Sequence, residues 1–97
     1  MPQIFLSVKD RLEEPKEYAI ILYNDDVTTF EFVIELLKQV FQKTFQEAMQ
    51  IAIKVDQEGS TIVGVFPYDI AQTRLRRANR MILSSGFPLR IEMQECW

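Results

Sequence analysis

Apolar residues recur with two different periods along this chain, and the change of period separates strands from helices. Residues 17–23 (EYAIILY) form a short, β-favouring apolar run, which predicts a buried strand. Thr28 and Glu31 have the spacing of a capping box, so a helix is expected to begin there. The following apolar residues return at intervals of three and four, which predicts one buried helix face: Phe30, Val33, Ile34, Leu37, Val40 and Phe41.

The same pattern continues to the end of the chain. Thr44 and Glu47 form a second capping box, and the helix after them is expected to bury Phe45, Ala48, Met49, Ala52 and Ile53. Residues 60–66 predict a second strand, in which Gly64 would admit a close neighbour. Pro67 suits the first turn of a third helix that ends at Gly86, with one buried face: Ala71, Leu75, Ala78 and Ile82. Residues 88–94 alternate apolar and polar side chains, which predicts a half-exposed third strand.

The predicted order β-α-α-β-α-β indicates an α+β fold. We expect a two-layer sandwich in which a three-stranded antiparallel sheet packs on three helices. Residues 1–16 mix charges with two prolines and show no period, so they are predicted to be a flexible arm. Residues 17–97 are then the single folded domain, of ordinary size for one core.

Composition limits the kinds of function that fit this chain. A net charge of -3 disfavours nucleic acid as a partner, because phosphate binding needs a basic surface. The only cysteine, Cys96, leaves no internal disulfide, and no signal peptide or membrane-spanning run is present, so a cytoplasmic protein is expected. The complete absence of histidine removes the commonest general base and transition-metal ligand.

Three oxygen-bearing side chains, Asn24, Asp25 and Asp26, lie between the first strand and the first helix. Such residues often make turns and complement the helix dipole, which is one interpretation. A second is that Asn24 and Asp25 accept hydrogen bonds from an ammonium group. Mg²⁺ or Ca²⁺ binding is a third, although the spacing lacks that of a calcium loop. A catalytic acid–base pair is disfavoured, because adjacent strand residues point to opposite faces.

Several segments together resemble the ClpS adaptor family, which delivers proteins with destabilising N-terminal residues (N-degrons) to Clp unfoldase–protease machines. They are LYNDDVTTFEFVIELL, GVFPYDIAQTR and FPLRIEM, and the similarity extends from about Tyr18 to Met93. The resemblance implies a non-enzymatic adaptor without a cofactor or metal. It also implies two protein partners, the substrate and the N-terminal domain of a ClpA- or ClpC-like AAA+ unfoldase.

The resemblance also assigns roles to individual residues. In ClpS proteins the Asn and first Asp of the N-D-D motif bind the substrate's α-amino group, and here these are Asn24 and Asp25. A family histidine that supplies a third contact is replaced by Asp56, which can accept but not donate a hydrogen bond and which could instead point to solvent.

The family's apolar pocket for the first side chain matches Thr28, Phe30, Val33, Ala52, Val55 and Leu89, all of which could equally be core residues. Several ClpS proteins have methionine at the positions of Phe30 and Ala52, which leaves the size preference of this pocket open. The unfoldase surface matches Asp69 and Arg74, although a helix face with four arginines could also be simply solvated.

The predicted function is therefore an adaptor for proteins with a free, bulky hydrophobic N-terminal residue. In the ClpS family the unfoldase engages an N-terminal extension during delivery, and the resemblance makes residues 1–16 the candidate for it, although they could instead pack on the domain. Two alternatives from other classes remain. One is a small regulatory interaction domain of the same fold without amine recognition, and the other is a metal-dependent enzyme.

Overall fold

The computed structural model describes residues 16–96. It contains β1 (Glu17–Tyr23), α1 (Phe30–Phe41), α2 (Phe45–Glu58), β2 (Ser60–Pro67), α3 (Tyr68–Ser85) and β3 (Arg90–Glu95). This order confirms the predicted β-α-α-β-α-β arrangement. Of the predicted arm, residues 1–16, all but Lys16 lie outside the described residues.

The three strands form one antiparallel sheet with the order β2-β1-β3. The first strand is central because its two neighbours both pair with it, β2 along one edge and β3 along the other. The register of β1 with β2 shifts between Ile20 and Ile21, and Val63 is the extra residue on β2. The predicted close neighbour of Gly64 is confirmed, since a Cβ added there would lie 2.7 Å from the ring of Phe66.

The core lies between one face of the sheet and the helices. Ile20 and Leu22, two residues apart on the central strand, are fully buried, and so are Leu36 and Leu37 of α1. The opposite face of the sheet is open, because Ile62 and Val65 keep about half of their surface exposed, at 56% and 46%. The fold is therefore the predicted α+β two-layer sandwich, with the helices on one face.

The start of α1 differs from the prediction. The N-cap is Thr29, whose side-chain oxygen accepts a hydrogen bond from the Phe32 amide at 3.2 Å, and α1 begins at Phe30. The capping box predicted for Thr28 and Glu31 is wrong, because the hydroxyl and amide of Thr28 both donate to Asp25 instead. The second capping box is confirmed, with reciprocal hydrogen bonds between Thr44 and Glu47. Pro67 also lies one position earlier than predicted, as the last residue of β2 and the N-cap of α3.

The buried face of α2 also differs from the prediction. Ala48 and Ala52 are buried as expected, together with Val55. Phe45 and Ile53 were expected to be buried as well, and this is wrong, because their exposed fractions are 53% and 40%. They lie at the edge of the apolar face of α2, beside the buried residues Ala48 and Ala52.

Candidate functional site

A cavity of about 290 Å³ opens where β1, α1 and α2 meet. It brings together all nine residues predicted for the two halves of a ligand site. Asn24, Asp25 and Asp56 are the predicted polar part, and the predicted apolar part is Thr28, Phe30, Val33, Ala52, Val55 and Leu89. Tyr23 and Asp26 also line it. Neither was predicted from the sequence, although Asp26 belongs to the same N-D-D motif and Tyr23 directly precedes it.

One backbone hydrogen bond explains why residues thirty positions apart line the same cavity. Gly59 ends α2 in the left-handed conformation, with φ of 90°, which glycine adopts without the strain of a side chain. Its carbonyl oxygen accepts from the Asn24 amide at 2.8 Å. The loop after β1 is thereby fixed to the C-terminal end of α2, where Asp56 lies one turn before Gly59.

Asp25 is held rigidly at the polar end of the cavity. Its Oδ1 accepts from the amides of Val27 at 2.8 Å and Thr28 at 2.7 Å, and its Oδ2 accepts from the Thr28 hydroxyl at 2.7 Å. Desolvation, the largest single influence, raises the pKa of Asp25, but the hydrogen bonds from Thr28 and Val27 together outweigh it and leave the pKa below its usual value. Asp25 is therefore a charged carboxylate at neutral pH, with room on Oδ2 for one further donor.

The electrostatics of the cavity favour a cation. Three carboxylates line it, those of Asp25, Asp26 and Asp56, and among the described residues no lysine or arginine does. Arg90 is the neighbouring cation, but its guanidinium lies 3.9 Å from the centre of the Tyr23 ring and pairs with Glu92 at 3.1 Å. Asp56 is largely exposed and Asp25 half-buried, so a ligand's ammonium group could reach both without crossing the core.

The apolar end of the cavity is formed by side chains that converge from both layers. Val33, Ala52, Val55 and Leu89 are all less than 9% exposed, whereas Phe30 is 40% exposed at the rim. Ala52 has the smallest side chain of these, so it takes up the least room in the cavity wall. The arrangement can bind a large apolar side chain whose carrier also bears a positive charge.

Among residues 16–96, no three His, Cys, Asp or Glu side chains gather closely enough to hold a metal ion. In the same part of the chain, no helix is both long enough and apolar enough to cross a membrane.

The predicted unfoldase contacts, Asp69 and Arg74, lie outside the cavity on α3. Asp69 is exposed in the first turn of the helix. Arg74 is half-buried, donates to the Val40 carbonyl at 3.2 Å, and lies 5.4 Å from the centre of the Phe66 ring. Positions five apart on a helix are separated by about 140° around its axis. The two side chains therefore project from different sides of α3, and Arg74 faces the end of α1.

Comparison with known proteins shows which family the chain belongs to. The model of the ATP-dependent Clp protease adaptor protein ClpS matches residues 13–92. The chain belongs to the ClpS family. An ATP-dependent Clp protease adapter protein ClpS from Nautilia profundicola is 52% identical over 81 residues, which is 84% of each chain. One from Clostridium acetobutylicum is 45% identical over 87 residues, covering 90% of this chain and 86% of that protein.

A solved structure agrees in fold with the chain described above. Agrobacterium tumefaciens ClpS2, bound to L-phenylalaninamide, superposes with a TM-score of 0.81 at 34% identity, over 84% of this chain and 99% of that one. The resemblance stated from the sequence is thus confirmed. As a ClpS protein, the chain is a non-catalytic adaptor of the Clp protease system, as predicted, and its role is in protein degradation.

Proposed function

We propose that this ClpS adaptor binds proteins through a free N-terminal residue with a large apolar side chain and delivers them to a Clp AAA+ unfoldase. The observation that carries the proposal is the shared cavity. Its polar end holds the acceptors Asn24, Asp25 and Asp56, and its other end is apolar. Within a protein, only the N-terminal residue carries an ammonium group and a side chain on the same carbon atom. The proposed site of action is the cytoplasm, where the ATP used by such unfoldases is available.

The α-ammonium group is proposed to lie at the polar end. It has three donors, and the remaining acceptor sites are the Asn24 side-chain oxygen, Oδ2 of Asp25 and the carboxylate of Asp56. Because Asp25 is already held by three hydrogen bonds, it does not have to be reoriented when the ligand arrives. A hydrogen bond to a charged group contributes about 1.5 to 3 kcal/mol.

The first side chain is proposed to enter the apolar end. Burying a Phe or Leu side chain contributes about 2 to 3 kcal/mol. Together with the ammonium contacts, and after the cost of ordering a flexible terminus, this gives micromolar affinity, which is about 8 kcal/mol. Support comes from A. tumefaciens ClpS2, whose bound L-phenylalaninamide has a free α-amino group next to a benzyl side chain.

A series of peptides that differ only at the first residue tests this proposal. Phe- and Leu-led peptides are expected to bind with micromolar affinity, whereas a Ser-led peptide, or one with Phe at the second position, should bind at least tenfold more weakly. Equal binding across the series would overturn recognition of the first side chain. Each peptide is also tested with an acetylated N-terminus, and equal binding of the free and acetylated forms would favour the alternative, a regulatory interaction domain of the same fold without amine recognition.

Delivery needs a second contact, with the N-terminal domain of the unfoldase. We propose that Asp69, exposed at the start of α3, belongs to this surface, and that residues 1–16 are engaged by the unfoldase during delivery. Deleting residues 1–16 should leave peptide affinity unchanged but slow degradation of a Leu-led reporter by the Clp machine. Unchanged degradation would remove the arm from the delivery step, and lost peptide affinity would place it in the binding site.

A further inference from the structure

Apolar side chains that the sequence pattern assigned to the core remain exposed next to the cavity. Phe45 and Ile53 are 53% and 40% exposed, and Met49 between them is half-buried. These three are spaced by four residues, so they form one stripe along α2. Across from them, Phe30 and Ile34 are spaced by four along α1, at 40% exposed and half-buried. We call these five residues the α1–α2 seam.

The seam is continuous with the cavity. Phe30 belongs to both, and Ala52, which lines the cavity, is the neighbour of Ile53 in the chain and lies on the same side of α2 as Met49 and Asp56. Because Phe30 and Ala52 line one cavity, the flanks of the two helices that carry the seam face each other. From the rim at Phe30, the seam leads away from the polar end of the cavity towards the start of α2.

We infer that the seam binds the residues that follow the first residue of the ligand, and that it prefers apolar side chains there. This inference rests on the proposed function. With the ammonium group at Asp25 and Asp56 and the first side chain beside Ala52, the peptide backbone has to leave over the rim, where the seam begins. All five seam residues are uncharged and apolar, unlike the three carboxylates at the other end.

The length of the seam fits a short stretch of extended peptide. From Ile53 to Phe45 is eight residues of helix, or about 12 Å at 1.5 Å per residue. An extended peptide advances by about 3.3 to 3.6 Å per residue, so three or four ligand residues would span the seam. The second to fourth residues of the substrate are therefore the predicted occupants.

The test compares two Phe-led peptides with free N-termini, one with Leu-Ser-Leu and one with Ser-Ser-Ser at positions two to four. The full-length chain is expected to bind the apolar version about tenfold more tightly by fluorescence anisotropy. The double variant Phe45→Gln with Ile53→Gln should lose this difference. Leu83→Gln, which changes an 84%-exposed leucine on α3, is the matched control and should keep it.

Three other results would overturn the inference, and they are distinguishable. If both peptides bind equally and acetylation abolishes both, the seam has no role but the proposed function stands. If acetylated and free peptides bind alike, the proposed function fails and takes the inference with it. If the chain sediments as a dimer and the double variant as a monomer, a second copy covers the seam instead.

Discussion

Asp25 carries the negative charge that the proposed ligand needs, and its neighbours hold that charge in place. Its three hydrogen bonds come from residues two and three positions later, so the turn that positions it is encoded locally. The turn interpretation of the N-D-D motif and the binding interpretation are therefore compatible. The same contacts that make Asp25 a turn residue also keep it ionised and leave one lone-pair direction free.

Replacing Thr28 tests this positioning role. Thr28→Val removes the hydroxyl that donates to Oδ2, so the pKa of Asp25 should rise towards its usual value and affinity for a Phe-led peptide should fall about fivefold, or about 1 kcal/mol. Thr28→Ser keeps the hydroxyl and is the control. The measurement is a binding titration repeated from neutral to acid pH. A Val variant with the affinity and acid midpoint of the original chain would show that the hydroxyl is not needed.

The pH dependence of binding follows from which groups can titrate. The chain has no histidine, and the α-amino group of a peptide has a pKa of about 7.7 to 8.0. Affinity should therefore be constant between roughly pH 5 and 7 and fall above about pH 8, where the free ligand loses its charge. On the acid side, the pKa of Asp25 is lowered by its hydrogen bonds from Thr28 and Val27, so its carboxylate stays charged to lower pH than an ordinary aspartate, and affinity is lost as the pH falls through that lowered pKa. Affinity that rises above pH 8 would contradict an ammonium ligand.

Ala52 is expected to set the size of the first side chain that the cavity accepts. It is 3% exposed and lines the cavity, so Ala52→Met would place a long side chain in the space proposed for the first side chain of the ligand. The affinity ratio of Phe-led to Leu-led peptides should fall about tenfold, or about 1.4 kcal/mol. Gln50→Met, at an exposed position of α2, is the control. An unchanged ratio would mean that the first side chain does not lie beside Ala52.

At the scale of the elements, two arginines of α3 stabilise the end of α1. Arg74 and Arg77 donate to the carbonyl groups of Val40 and Gln39, at 3.2 and 3.3 Å. Carbonyl groups in the last turn of a helix lack partners within it and carry the negative end of its dipole, which guanidinium groups complement. The arginine-rich face is thus partly structural, which neither of the two sequence interpretations, solvated face or docking surface, included.

Charge reversal at Arg74 should therefore act on the fold. Arg74→Glu removes the hydrogen bond to Val40 and the contact with the Phe66 ring, and it places a negative charge at the helix end. The free energy of unfolding should fall by about 1 to 3 kcal/mol in urea titrations. Arg76→Glu, at an exposed position, should change it by no more than about 0.5 kcal/mol.

Equal stability of the two variants would show that the contacts of Arg74 contribute nothing to the fold.

Asp69→Lys tests the proposed unfoldase surface without also disturbing the fold. Asp69 is exposed, and its loss removes only an acid from the first turn of α3. We expect it to weaken binding to the isolated unfoldase N-domain without changing peptide affinity.

At the scale of the whole molecule, the element order was predictable because each helix and strand carries its own periodicity and end signals. Thr44 with Glu47, and Gly86 after α3, are examples that the structure confirms. The exchange of roles between Thr28 and Thr29 was not predictable, because adjacent threonines have almost the same spacing to the helix. Thr29 becomes the N-cap because the amide and hydroxyl of Thr28 donate hydrogen bonds to the carboxylate of Asp25 instead.

The candidate site was predictable only in part. Asn24 and Asp25 are conspicuous in the sequence, but Asp56 is thirty residues away and was identified through the family resemblance. Asp56 lines the same cavity because the backbone N–H of Asn24 donates a hydrogen bond to the backbone carbonyl of Gly59. No local sequence pattern encodes this contact between distant residues. Exposure of Phe45 and Ile53 was also not predictable, since helical spacing indicates a face but not where that face stops being covered.

The cavity is proposed to recognise a positively charged N-terminus together with its first apolar side chain. Calorimetric titration of the full-length chain with a Phe-led peptide and with its N-acetylated form separates the contribution of the charge from that of the side chain. We expect a dissociation constant of about 1 μM for the free peptide and binding at least about a hundredfold weaker for the acetylated one. Equal dissociation constants for the two peptides would contradict it.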